Sequence, residues 1–297
     1  MAIDIEIKQS GIIKRELNLQ DITAGKYRYG VMDEYWRLDE GSLDGENIVF
    51  YNPEHIGRGV EITWRPGIKD SITIRLPLPT TAYDVDMCFD IVRRICKTWK
   101  AKSFVHDGEV VAVNEIDEYA YRHKVNIISI LESMEEVDRD NSSRIILCAK
   151  FPLKFNSYDL YQFGKNGDLE GFANLLHSKQ VQDLYYAVSR VYRMQDGSYF
   201  GAYAIGANID SIIPIKPEVP LMMKDPVTGE DLKCDKFVVM IGSSDNPDIG
   251  GNISYEDFAD GIGINNLEKF DENHVILRDF SEEMVKDFAS KYPEPLK

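Results

Sequence analysis

The chain has 297 residues and carries 34 Lys+Arg against 50 Asp+Glu, a net charge of −16. An apolar share of 43%, with 11% aromatic residues, can offset the entropy of ordering the chain and excludes a disordered protein. The negative field opposes phosphate backbones, so nucleic acid is not an expected partner.

Residues 2–8 alternate with period two, Ile3, Ile5 and Ile7 on one face and Asp4, Glu6 and Lys8 on the other, and predict a strand. Residues 46–51, 59–65 and 71–76 predict further strands, broken at Asn52-Pro53 and at Arg65-Pro-Gly-Ile-Lys-Asp70. The second break has the composition of a hairpin turn. Val60, Ile62 and Trp64 share one face, as do Ile72, Ile74 and Leu76, so an antiparallel meander is expected. After Pro77-Leu-Pro79, Thr81 is an N-cap and Asp84 stands at the third helical position. Val85, Cys88, Phe89, Val92, Ile95, Cys96 and Trp99 then recur at helical spacing. A hairpin across Asp107-Gly108 and a second helix over about 115–137 follow.

Arg144–Phe151 reads as a strand stopped by Pro152, and 156–164 and 168–184 read as helices. Tyr185–Met194 and Ser198–Ala207 read as a tyrosine-rich hairpin across Gln195-Asp-Gly197. The stretch Ile212–Pro220 has three prolines, which excludes regular helix and leaves an extended crossover or a linker. Lys236–Ile241 and His274–Leu277 predict strands, and Ser254–Asp260 and Ser281–Tyr292 predict helices. An offset of 75 residues aligns Arg75-Leu-Pro-Leu78 with Lys150-Phe-Pro-Leu153, and Tyr83-Asp-Val85 with Tyr158-Asp-Leu160. Thr81 and Asn156 are then equivalent caps, in one arrangement used twice or in a chance match. The expected fold is α+β, antiparallel sheets with helices on one face, in two subdomains over 1–150 and 151–297.

No Walker A segment, dinucleotide glycine fingerprint or nucleophile elbow occurs. The acidic stretches at Asp138-Arg-Asp140 and Asp245–Gly250 lack the oxygen ligands that calcium requires. Cys88, Cys96, Cys148 and Cys234 form no C-x-x-C pair and read as reduced thiols, and His55, His106, His123, His177 and His274 include no metal-binding pair, so neither a metal nor a cofactor is expected. Met1–Lys8 lacks a signal-peptide core, and no apolar run nears the ~20 residues of a membrane helix, which predicts a cytoplasmic protein without a membrane partner.

The most unusual local composition is Tyr51–Val60, where Gly57 and Gly59 flank Arg58 and His55 stands three residues earlier. Arg65 and Arg75 follow within residues 51–100, which hold eight basic and six acidic side chains. His55, Arg58, Arg65 and Arg75 are therefore the candidate ligand-binding residues, able to hold a carboxylate or phosphate through bidentate hydrogen bonds. The competing reading is a glycine-shaped turn whose arginine pairs with a local carboxylate. No catalytic residues are assigned.

Ile56-Gly-Arg-Gly-Val-Glu-Ile62, Leu76-Pro-Leu-Pro-Thr80, the helix with Ile95-Cys96, Ile212–Pro217 with Val219, Ser254-Tyr-Glu-Asp-Phe258 and His274-Val-Ile-Leu277 follow one another along most of the chain. In this order of segments the chain resembles an uncharacterised domain-of-unknown-function family of about 300 residues from Gram-positive and gut bacteria. The resemblance implies a bacterial cytosolic protein and brings no activity or site residues.

The leading functional expectation is a non-enzymatic binding or interaction protein, including an acidic, immunity-type partner that neutralises a basic protein. The alternatives are a small-molecule or anion-binding enzyme with an Arg/His site near residues 55–65, and a structural or assembly subunit.

Overall fold

The structure, a computed structural model, describes residues 1–136 and 143–292. The acidic stretch at Asp138 and the expected helix end at 137 lie outside the described residues. The chain folds into two compact units, Met1–Gln182 and Asp183–Lys297, and the fold is α+β.

The first unit is built on an eight-stranded antiparallel sheet. Its strands are β1 (Ala2–Lys8), β2 (Arg28–Met32), β3 (Leu38–Glu40), β4 (Asn47–Tyr51), β5 (Val60–Thr63), β6 (Ser71–Pro77), β7 (Ser103–His106) and β8 (Glu109–Ala112), in the order β3-β2-β4-β5-β6-β1-β7-β8. The period-two pattern sets the register: Ile3, Ile5 and Ile7 lie opposite Leu76, Ile74 and Ile72, and all six are buried. A short helix, α1 (Leu19–Thr23), precedes β2.

The long helix α2 (Ala82–Trp99) covers β1, β5 and β6 with the apolar stripe read from its spacing. Thr81 and Asp84 form the expected capping box. The next helix, α3, spans Ile116–Glu132 and continues as a 3₁₀ turn over Ser133–Glu136.

Pro152 begins a strand where the sequence placed a stop. β9 (Ser143–Leu147) and β10 (Pro152–Asn156) pair antiparallel, with Pro152 opposite Leu147. Proline is tolerated there because the first residue of a strand can go without its N–H donor. Asn156 caps α4 (Ser157–Lys165), as its equivalence to Thr81 implied, and α5 (Leu169–Gln180) follows. α4 packs on α3. This packing keeps residues 151–182 with the first unit, so its boundary falls at 182/183 where the sequence had placed it at 150/151.

The second unit has two four-stranded sheets. β11 (Tyr185–Tyr186), β14 (Ser211–Pro214), β18 (His274–Leu277) and β17 (Glu268–Lys269) form one, in that order. β12 (Arg190–Arg193), β13 (Tyr199–Gly206), β15 (Lys236–Gly242) and β16 (Gly250–Ser254) form the other. The tyrosine-rich hairpin is thus shorter than expected. Arg190–Arg193 pairs with Tyr199–Ala202, whereas Tyr185–Tyr186 leaves for the other sheet and runs parallel to β14. The proline-rich stretch enters a strand at its first three residues, paired with β18, before Pro217 and Pro220 end regular pairing. Helices α6 (Tyr255–Ile262) and α7 (Glu282–Lys291) close an apolar core that includes Tyr203, Val239, Phe258, Phe280 and Phe288.

Candidate functional site

The Gly57-Arg-Gly59 loop does hold a carboxylate, with its backbone, and the carboxylate belongs to the protein. Asp84, 1% exposed, accepts from Arg58 N at 2.9 Å and Gly59 N at 3.2 Å. It also takes the hydroxyls of Thr80 at 2.7 Å and Thr81 at 2.9 Å. The glycines follow from this. A Cβ on Gly57 would stand 2.1 Å from Asp84 Oδ2, and Gly59 has φ +75 with Phe50 O in the way of a Cβ. The Arg58 guanidinium is committed to the fold as well, donating to Leu147 O at 2.9 Å and Pro79 O at 3.1 Å. Burial lowers its pKa from the usual arginine value.

The other sequence candidates have separate surroundings. His55 stacks on Tyr83, ring centroids 3.7 Å apart and planes within 2°. Tyr83 donates to Glu170 at 3.2 Å. His177 accepts from Ile56 N at 2.9 Å, and burial, then the charge of His55, lowers its pKa. Arg75 projects from the exposed side of β6 and pairs with Asp4 at 3.3 Å. Arg58 and Arg75 therefore act as internal ties.

Arg65 is different. It opens the connection between β5 and β6, where Ile68 N bonds Arg65 O at 3.2 Å around Pro66 and Gly67 (φ +80), the pattern of a type II turn. Gln9 pins the far side of this turn, donating from its amide to Lys69 O at 2.5 Å and from its backbone to Asp70 O at 2.9 Å. The turn forms one wall of a cleft of about 370 Å³ at the end of the large sheet. Trp64, Arg65, Glu46, Ile68, Ile72 and the hydroxyl residues Thr63, Ser71 and Thr73 line it.

Two features mark this cleft. Trp64 is 7% exposed, and its buried indole Nε1–H has no acceptor among the described residues. A buried donor left unmatched costs about 1–3 kcal/mol. In the same lining, Arg65 is exposed and its side chain makes no hydrogen bond or ion pair with the described residues. The nearby carboxylate of Asp70 is engaged by Lys14, which holds its pKa below the usual aspartate value. A tryptophan whose buried N–H is unmatched and an arginine whose side chain is unpaired thus line one concavity. Together they can receive a ligand's acceptor group, whether carboxylate or phosphate.

The sequence named Arg65 but placed Trp64 only on the shared face of Val60 and Ile62. Its burial is that of a core residue, and only the packing shows that its N–H was left without a partner. Glu46 carried no signal of its own, because it enters the cleft through the pairing of Asn47 with Thr63.

The remaining histidines are bonded within the protein. His106 Nε2 and His123 Nε2 are 2.8 Å apart, joining β7 to α3. In the second unit, His274, 1% exposed, meets Asp271 through Nδ1 at 2.8 Å and Tyr186 through Nε2 at 3.3 Å. Among the described residues no three His, Cys, Asp or Glu side chains converge as a metal site requires, and no helix is long and apolar enough to cross a membrane.

This is an α+β protein whose largest sheet ends in a cleft of ligand size, lined by donors that the fold leaves unmatched. The chain belongs to the family described as Domain of unknown function (DUF4299), whose model matches residues 2–288. No curated protein and no solved structure matched the chain.

Proposed function

We propose that the protein is a non-catalytic binding protein whose cleft beside Trp64 and Arg65 receives a small ligand through an anionic or strongly accepting group. The observation that supports this most is the buried Trp64 N–H without an acceptor among the described residues, on a side chain that lines a concavity together with an arginine whose side chain is unpaired. A ligand oxygen would remove the desolvation penalty of the indole and gain a charge-assisted bond from the guanidinium. The volume, about 370 Å³, falls in the range of small-molecule sites. The test is a fluorescence titration with acetate and with inorganic phosphate. Wild type saturates, Arg65→Gln weakens the response about tenfold, and Trp64→Phe removes it. Identical curves for wild type and both variants would overturn the reading.

The charge of −16 favours a second reading, an acidic partner of a basic protein reached by electrostatic steering. Complex formation insensitive to ionic strength would contradict it. The four cysteines form no disulfide with one another, which fits a reducing, cytoplasmic setting.

A further inference from the structure

Building on the cleft reading above, we propose that the ligand is a small zwitterion of the α-amino acid class. The cleft carries two opposite, uncommitted charges. Arg65 and Glu46 both line it, both are exposed, and neither side chain makes a hydrogen bond or ion pair with any described residue. They are thus not paired with each other. At the adjoining turn, Lys14 holds Asp70. A concavity with a free cation and a free carboxylate complements a molecule bearing a carboxylate and an ammonium.

The neutral groups sharpen the match. The ligand's carboxylate has two oxygens; the exposed Arg65 guanidinium takes the first, and the second would reach the Trp64 N–H, which is buried and unmatched on a side chain lining the cleft. Its ammonium is a donor only, and Glu46 is the charged acceptor lining the cleft. Ile68, 8% exposed, and Ile72, 2% exposed, supply apolar surface, which suits a ligand with an apolar side chain. A simple dianion such as phosphate satisfies Arg65 and Trp64 but brings negative charge towards Glu46, so it binds less well than a zwitterion.

The experiment is a thermal-shift screen of the full-length protein against the twenty protein amino acids, with calorimetric titration of those that raise the melting temperature. Each binder is compared with its deaminated acid, which keeps the carboxylate and side chain but lacks the ammonium. The expected result is at least one apolar amino acid that binds about tenfold more tightly than its deaminated acid. Glu46→Gln erases that difference, weakening the amino acid and modestly tightening the deaminated acid, and Glu46→Lys reverses the preference. Equal affinity for an amino acid and its deaminated acid would overturn the zwitterion while leaving the anion reading in place. A tenfold preference that survives Glu46→Gln would overturn the role of Glu46. No response to any amino acid, deaminated acid, acetate or phosphate would overturn both readings.

Discussion

Asp84 and Trp64 lie in the same unit, are almost equally buried, and have opposite hydrogen-bond accounts. The Asp84 carboxylate is surrounded by two hydroxyls and the backbone N–H groups of a glycine loop, and Gly57 is there because a side chain would displace it. The Trp64 N–H is buried without an acceptor among the described residues, on a side chain that lines a cleft. Both are polar groups removed from water. The first is a joint, tying loop 57–59 to the start of α2. The second is an open valence that folding does not close. A buried polar group with every bond made reports on stability, and one with a bond missing beside a cavity reports on a ligand.

The contrast is most severely tested by breaking the joint. Asp84→Ala removes the common acceptor of several buried donors, and the expected loss is about 3 kcal/mol or more, read from the urea midpoint. A loss below that of an ordinary N-cap, about 1 kcal/mol, would mean the carboxylate is not the hub described here. Gly57→Ala attacks the same joint from the other side and should cost about 1–3 kcal/mol, because the loop or the carboxylate must shift. The two losses should be less than additive when combined, since both act on one contact.

A third test uses the buried His106–His123 pair. Burial, and then the charge of His106, lowers the His123 pKa to about 4 from its ordinary 6.5, with Asp107 opposing. Between those values the unfolded chain binds the proton and the folded protein does not. Stability therefore falls as the pH drops from about 6.5 to 4, and this histidine contributes no slope above that window. The geometry agrees, since a proton on both Nε2 atoms would break the 2.8 Å bond between β7 and α3. His123→Gln should flatten the melting temperature across this range, and an unchanged slope would contradict the assignment.

The smallest expected effect lies on the other side of the comparison. Trp64→Phe deletes an unmatched donor and keeps most of the buried ring, so stability should change by no more than about 1 kcal/mol. Arg65→Gln, at an exposed position, should change it by about 0.5 kcal/mol or less. A large loss from either variant would place these residues in the framework alongside Asp84.

Much of the framework was legible in the sequence because it is written in local pattern. The alternation in residues 2–8, the cap at Thr81 and the turn at Arg65–Ile68 each depend on neighbours in the chain. The parallel pairing of β13 with β15 and the switch of Tyr185–Tyr186 to another sheet depend on partners far away, and no local signal carries them. The site divides along the same line. The arginines and the Gly-Arg-Gly loop stood out by composition, but composition could not say that Arg58 and Arg75 are engaged and Arg65 is free. Nor could it show that the anion held by the loop is Asp84. That distinction rests on which partner each group meets in three dimensions.

The proposed ligand site depends on an indole N–H of Trp64 that has no acceptor among the described residues. Nitrogen-15 labelling gives one indole N–H resonance for each of Trp36, Trp64 and Trp99, and Trp64→Phe identifies the one in question. In the ligand-free protein that proton should resonate upfield, as a non-bonded indole does, and move downfield on addition of acetate or of an amino acid that binds. A Trp64 resonance already at a hydrogen-bonded position, and unmoved by every such addition, would contradict the account.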